Sequence, residues 1–184
     1  SDERLSSVTV LESCVVMPGL INAHTHLELS GFHGCVERSD SMPSWASKVM
    51  SLTANDDPDQ NAIDSAISFA HQSGTALVGD ISNTLASVDA LRRSPLDGVV
   101  FNELLGFDNR EPTGLLNRSL ASIKNYQGHK PRVSLAAHAP YSVSAALFKA
   151  LREAADAHAL GPLSVHVAES EAELEFLRTG TGPW

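Results

Sequence analysis

Short apolar runs alternate along this chain with segments in which apolar residues recur every three or four positions. The runs predict strands of a sheet that is buried on both faces, and the recurring spacing predicts amphipathic helices. Strands are predicted over residues 15–23, 75–79, 98–101, 132–137 and 163–167. Helices are predicted over residues 43–52, 58–73, 84–93, 113–126, 144–159 and 170–178.

Strand and helix alternate about five times, and such alternation is typical of parallel βαβ units. Polar residues follow the carboxyl ends of the predicted strands: His24, His26, Asp80, Glu103, His138, His166 and Glu169. Closed barrels and doubly wound sheets both bind ligands at that edge. The periodicity alone therefore leaves these two architectures open.

The pair His24 and His26 is the strongest chemical signal in the chain. Side chains on a strand alternate faces, so both imidazoles point the same way from Cα atoms ~7 Å apart. That spacing lets both rings bind one metal ion at ~2 Å, and His166 ends a later strand. Three neutral imidazoles suit Zn²⁺, with Fe²⁺, Mn²⁺ and Ni²⁺ as alternatives. Histidines that only form structural hydrogen bonds are the other interpretation of so short a pattern.

The run from Pro18 to Glu28 resembles the first barrel strand of the amidohydrolase superfamily. Its extension from His24 to Ser30 resembles the chlorohydrolase and nucleoside-deaminase branch, including aminofutalosine deaminase-like members. The segments 138–142 and 166–170 are similar to the fourth-strand and fifth-strand motifs of that branch. All of these motifs occur in the order in which the family has them.

This resemblance favours an α/β fold that is a partial (β/α)8 TIM-like barrel of about five βα units. Residues 17–184 are expected to form this incomplete barrel, and residues 1–16 resemble the tail of a small β-sandwich domain that precedes it. A complete barrel of this kind needs ~250 residues. We therefore expect the sequence to be part of a longer protein.

The resemblance also implies a chemistry. One divalent metal, Zn²⁺ first, would generate hydroxide for attack on an amino-bearing heterocycle, and Glu169 would shuttle the proton. A carboxylate that favours a helix N-terminus is the structural alternative for Glu169. His138 stands where several amidohydrolases have a metal-bridging lysine, so the resemblance implies the one-metal branch, in which this histidine contacts substrate. A chlorohydrolase or a cyclic amidohydrolase would use the same site.

Further residues are candidates for contact with a small-molecule substrate. The family often places an aromatic side chain over the substrate after the first strand, where this chain has Trp45, although core packing is as good an interpretation. Glu103 and Arg110 follow the third strand and suit polar substrate groups or a surface ion pair. Glu28 and Asp80 are expected to orient the metal-binding imidazoles.

Composition narrows the partners. The formal net charge of −9 offers no basic patch for phosphates and argues against nucleic acid. No apolar run has the length of a membrane span. Two cysteines, Cys14 and Cys35, lack metal-ligand spacing and are interpreted as reduced thiols of a cytoplasmic protein.

A non-enzymatic interpretation stays open. The family uses a sixth-strand histidine and an eighth-strand aspartate that these 184 residues do not contain. A partial barrel has open sheet edges, which pair readily with another chain. We therefore expect the 184 residues alone to be inactive and to form a homodimer, or to act only as an assembly species.

Overall fold

The computed structural model describes residues 9–54, 56–108 and 112–184. The strands are β1 (Leu20–Thr25), β2 (Thr75–Ser82), β3 (Asp97–Leu104), β4 (Arg132–Ala137) and β5 (Ser164–Val165). The helices are α1 (Met42–Thr53), α2 (Gln60–Gln72), α3 (Val88–Arg93), α4 (Pro112–Lys124), α5 (Ala145–Ala157) and α6 (Glu171–Thr179). A 3-10 helix, Leu27–Phe32, follows β1.

The strands form one parallel sheet in the order β1-β2-β3-β4-β5, with helical connections between neighbours. This arrangement is half of a parallel barrel and confirms the predicted five-unit α/β fold. Because all strands run the same way, their carboxyl ends meet at one edge of the sheet, where the predicted functional residues lie.

The core lies between the sheet and its helices. Val78, Val100 and Leu135 point to this side and pack with residues of the helices such as Ile63 and Leu147. The opposite, inner face carries a small second cluster of Ile81, Phe101 and Ala136. A cleft of about 950 Å³ runs along the inner face near the amino ends of the strands, and no predicted site residue lines it.

Several predicted bounds are wrong at strand ends. β1 begins at Leu20 and not at Val15, since Pro18 lacks the N–H that a parallel ladder requires. β5 contains only Ser164 and Val165, because it pairs on one side with β4 and no described strand lies on its other side.

The helix predicted to start at Thr84 begins at Val88. The intervening residues form a turn in which Leu85 has a φ of 63°, a left-handed conformation that no helix contains. The backbone N–H and the hydroxyl of Thr84 both donate to the Glu28 carboxylate at 3.1 and 2.6 Å. The Glu28 carboxylate, which belongs to a distant segment, therefore sets the start of α3. The spacing of apolar residues within the helix could not show this contact.

Residues 9–19 contain neither strand nor helix. Residues 1–8 lie outside the described residues, so the assignment of residues 1–16 to a separate β-sandwich stays a prediction. Among the described helices, none has the length and apolarity that crossing a membrane requires.

Candidate metal centre

The two histidines of the first strand converge. His24 lies at the end of β1 and His26 follows the strand directly. Their Nε2 atoms are 3.1 Å apart, and their ring centroids are 5.1 Å apart. Both imidazoles face the inner side of the half-barrel, where the third predicted ligand lies.

His166 arrives from the other edge of the sheet. Its backbone N–H donates to the carbonyl of His138 at 2.8 Å, which continues the β4–β5 ladder past the short strand. The His166 ring centroid lies 4.7 Å from that of His24 and 5.6 Å from that of His26. The structure thus brings together three imidazoles of which the outermost two, His24 and His166, are 142 residues apart in sequence.

The donor set fits a metal ion. One ring nitrogen from each of His24, His26 and His166 lies within 4.8 Å of the others. Two nitrogens that bind one tetrahedral ion at ~2.05 Å are about 3.3 Å apart, close to the observed separation of the two Nε2 atoms. Three imidazoles with an open side match the ligand set of catalytic zinc sites.

Electrostatics keep one of these ligands neutral. Burial lowers the pKa of His26 to about 4; the Glu103 carboxylate opposes this shift, and His166 and His24 add to it. Its ring is therefore neutral at pH 7, which is the form that binds metal. The hydrogen bond to Glu103 raises the pKa of His166, although burial acts in the opposite direction.

A second group surrounds His166. Glu103 Oε1 lies 3.2 Å from His166 Nε2, and Glu103 Oε2 accepts from the Asn83 amide at 3.1 Å. Burial alone would raise the pKa of Glu103, but the hydrogen bonds from His166 and Asn83 and the charge of His138 lower it overall. His138 Nδ1 lies 2.6 Å from Ser142 Oγ, so the ring orientation is fixed. Ligand atoms of Glu103, His138 and His166 also lie within 4.8 Å of one another.

Glu169 is held beside the imidazoles. Its Oε1 lies 3.4 Å from His166 Nδ1, and its backbone N–H donates to the buried Glu173 carboxylate at 2.8 Å. Ala168, with a φ of 60°, turns the chain between β5 and α6. Ser170 caps α6 by accepting from the Glu173 amide, so Glu169 lies just outside the helix. This position leaves its carboxylate free to face the His166 ring.

Of the remaining predicted substrate residues, Trp45 has no described contact with this centre. Trp45 is 39% exposed on α1, a helix with no buried residue, so the alternative of core packing for Trp45 is wrong. Arg110 lies outside the described residues, and its role stays a prediction.

The two carboxylates expected to orient the imidazoles do not contact a ring. Asp80 accepts from the Thr25 hydroxyl and the Leu27 N–H, whereas Glu28 accepts from Ser82 and from the turn that follows β2. Their partners are therefore backbone and hydroxyl groups of neighbouring segments. The expectation that they orient the imidazoles therefore stays a prediction, and any such effect acts through the chain on either side of the histidines.

Sequence reasoning missed other contributors. Asn83, Ser142 and Glu173 each fix a predicted site residue. Tyr141, which belongs to the motif at residues 138–142 and was not missed, lies edge-on to His138 at 5.5 Å and stacks on Trp184 at 3.8 Å. Ser142 had a usable signal, since it stands four residues after His138 beyond the strand end, whereas Asn83 and Glu173 had none that distinguishes them from surface residues.

Asp80 gives a testable pH dependence. Its side chain is fully buried, and burial raises its pKa from 3.8 to about 6 against the hydrogen bonds of Ser87, Leu27 and Thr25, with the Glu28 charge adding to the rise. The folded state then binds this proton more tightly than the unfolded state between about pH 4 and pH 6. We expect this group to reduce the free energy of unfolding by roughly 3 kcal/mol as pH rises through that range.

Denaturant unfolding of the natural protein and of Asp80→Asn at several pH values measures this effect. The variant lacks the group, so the difference in unfolding free energy between the two proteins should change with pH in this window. If the difference in unfolding free energy stays constant from pH 4 to pH 7, the raised pKa of the buried Asp80 carboxylate is contradicted.

Comparison with known proteins identifies the family. The sequence profile of the amidohydrolase family matches residues 15–182. The chain therefore belongs to the amidohydrolase family, as the three strand-end motifs indicated.

Individual relatives are deaminases. Adenosine deaminase from Helicobacter pylori is 36% identical over 174 residues, which cover 93% of this chain and 42% of that protein. The crystal structure of Helicobacter pylori aminofutalosine deaminase in complex with methylthio-coformycin has a TM-score of 0.78 and 34% identity over 91% of this chain and 41% of that one. The chain thus spans about two fifths of the length of the relatives it matches.

A more distant structure shares the fold. An adenosine deaminase from Xanthomonas campestris with bound zinc has a TM-score of 0.71 at 20% identity, over 91% of this chain and 40% of that one. Together with the Helicobacter pylori structure, it shows that the half-barrel is a part of the amidohydrolase barrel fold.

Proposed function

We propose that the natural protein carrying this chain is a metal-dependent aminohydrolase that deaminates an adenosine-like heterocycle. The convergence of His24, His26 and His166 within 4.8 Å, with Glu169 beside them, carries this proposal. The names of the Helicobacter pylori relatives, adenosine deaminase and aminofutalosine deaminase, support the substrate class.

The three imidazoles are the proposed ligands of one divalent ion, with Zn²⁺ as the first candidate. Such an ion would lower the pKa of a bound water and so supply hydroxide at neutral pH. The low pKa of His26 keeps that ligand deprotonated without competition from protons near pH 7. Glu103 orients His166 through its hydrogen bond, as outer partners of metal-binding histidines do.

Glu169 is the proposed proton carrier. Its Oε1 takes a proton from the attacking water and passes it to the leaving nitrogen, so that a C–O bond forms, the C–N bond breaks and ammonia departs. The hydrogen bond from the Glu169 N–H to Glu173 fixes the backbone of this residue. Its carboxylate therefore stays at the centre while it accepts the proton and while it donates it. The exposed fraction of its side chain, 26%, allows it to meet a substrate that enters from the open side.

His138 is the proposed contact to the substrate ring. Its Nδ1 is occupied by Ser142, which leaves Nε2 for the heterocycle. Glu103 retains lone pairs beyond those used by Asn83 and His166, and these suit a hydroxyl of the substrate. Trp45 and Arg110 remain proposals for the same binding role.

For the 184 residues by themselves, we propose a homodimer, because β1 and β5 have no described strand on their outer sides and such edges favour pairing with another chain. Both described cysteines are free and exposed, which fits a reducing, cytoplasmic setting.

The experiment is an assay of the purified natural protein, loaded with Zn²⁺, against adenosine, methylthioadenosine and aminofutalosine. Ammonia release, followed with a coupled dehydrogenase, is the expected result with at least one of them, and a chelator should abolish it. Metal-loaded protein that releases no ammonia from any of these compounds would overturn the proposal. Release of chloride from a chlorinated triazine instead would assign the site to dechlorination.

A further inference from the structure

The alternation of side chains along β1 does not by itself bring the histidines inward. Ile21 and Ala23 line the inner cleft, so an unbroken strand would send His24 and His26 to the opposite, helix-covered face. The observed rings nevertheless face the inner side and approach His166. An irregularity of the backbone near Ala23 and His24 must therefore shift the alternation of side chains between the two faces by one residue.

That shift is a β-bulge. Asn22 pairs with Val78 and Thr25 pairs with Asp80, so Ala23 and His24 together lie opposite Gly79 alone. An extra residue in one strand reverses the faces of all residues that follow it, and bulges recur beside active sites for this reason.

Gly79 provides the space for the bulge. A Cβ at this position would lie 2.4 Å from the carbonyl oxygen of Ala23, so any side chain would push β1 away. The His24 N–H, which the bulge displaces from regular pairing, donates to the Asn22 side chain at 3.2 Å. A side chain of β1 itself therefore provides the hydrogen-bond acceptor for the backbone N–H that lies in the bulge.

Asp80 fixes the residues that follow the bulge. One carboxylate oxygen, Oδ1, accepts from the Thr25 hydroxyl at 2.9 Å and from the Leu27 N–H at 2.8 Å. The other oxygen, Oδ2, accepts from the Ser87 hydroxyl at 2.5 Å. Because Thr25 and Leu27 flank His26, this buried carboxylate holds the chain on both sides of that ligand.

We propose that Asp80 is a positioning residue that, together with Gly79, maintains a β-bulge at Ala23 and His24 and so turns both imidazoles toward the metal. The inference rests on the proposed function, because it concerns the same metal centre. Although β2 contributes no ligand, the proposal gives it the placement of two ligands, His24 at the end of β1 and His26 directly after it.

A matched pair of variants tests the contact of Asp80 with β1. Thr25→Val removes the hydroxyl on Oδ1, and Ser87→Ala removes the hydroxyl on Oδ2 without touching β1. Both should lower the melting temperature by a similar amount. Thr25→Val alone should weaken Co²⁺ binding by about tenfold or more and alter the visible absorption bands of the bound Co²⁺. Equal Co²⁺ affinities and identical spectra for the two variants would overturn the positioning role.

A second pair tests the bulge itself. Gly79→Ala should displace β1, separate the Nε2 atoms of His24 and His26 in a crystal structure of the metal-free variant, and weaken Co²⁺ binding. Gly114→Ala on α4 is the control, because a Cβ there approaches only the Arg118 side chain at 3.8 Å. This variant should leave the position of β1, the Nε2 separation and the Co²⁺ affinity unchanged.

The metal-free structure separates this inference from the proposed function. Natural protein that binds no Co²⁺ would overturn the metal centre, whereas the separation of the rings in Gly79→Ala would still support the role of the bulge. If the distance between the Nε2 atoms of His24 and His26 is unchanged in Gly79→Ala, the proposed role of the bulge is overturned, whether or not the natural protein binds metal.

Discussion

Replacement of His166 by alanine is expected to abolish tight binding of Zn²⁺ and Co²⁺ to the natural protein. His166 is the one imidazole of the proposed centre that does not come from the β1 segment, so its loss leaves two adjacent ligands. Removal of an outer partner of a metal ligand already costs about tenfold to a hundredfold in affinity, and loss of the ligand itself should cost more. Competition with a chromophoric chelator measures the affinity, and elemental analysis measures the stoichiometry.

His158→Ala is the matched control, since His158 is an exposed histidine at the end of α5 with no ligand neighbour in the described chain. His166 also partners the buried Glu103 carboxylate, so its removal is expected to lower stability as well. His24→Ala avoids this effect, because His24 is exposed and contacts no described carboxylate. Metal bound stoichiometrically and with natural affinity in both ligand variants would refute the centre.

The parts of the fold that the sequence predicted are those that depend on local patterns. Apolar runs and helical spacing located five strands and six helices, because both patterns are carried by residues within each element. β4 was predicted over the residues it occupies, since a run of apolar residues is bounded there by Pro131 and His138.

The bulge in β1 was not predictable, although it decides which way the histidines point. The spacing of His24 and His26 fixes only that they share a face, and the choice of face depends on Gly79 and Asp80, more than fifty residues away. A glycine inside a strand is only a weak signal of a bulge, and Gly79 ends a short apolar run that by itself predicts an ordinary strand.

The carboxylates illustrate the same limit. Glu28, Asp80 and Glu173 are charged residues that a sequence places at the surface or beside a ligand, yet all three are buried and hold backbone or hydroxyl groups. Their partners come from segments that meet only in the folded chain, so burial of a carboxylate could be anticipated neither from spacing nor from composition.

Glu169→Gln is expected to reduce kcat of the deamination by about a hundredfold to ten-thousandfold while metal binding stays unchanged. Glutamine has nearly the same shape and keeps the backbone contact to Glu173, but its amide cannot accept and return a proton. The measurement is steady-state kinetics with the substrate found in the ammonia assay, alongside Co²⁺ affinity and melting temperature.

Glu171→Gln separates this role from the alternative that Glu169 only favours the N-terminus of α6. Glu171 is exposed in the first turn of that helix, so both variants remove a negative charge from the same helix end. A dipole effect of each charge is worth about 0.3–1 kcal/mol of stability and leaves catalysis intact. Loss of activity in Glu169→Gln alone therefore identifies the proton carrier, and equal, full activity in both variants would leave only the helix-end role for Glu169.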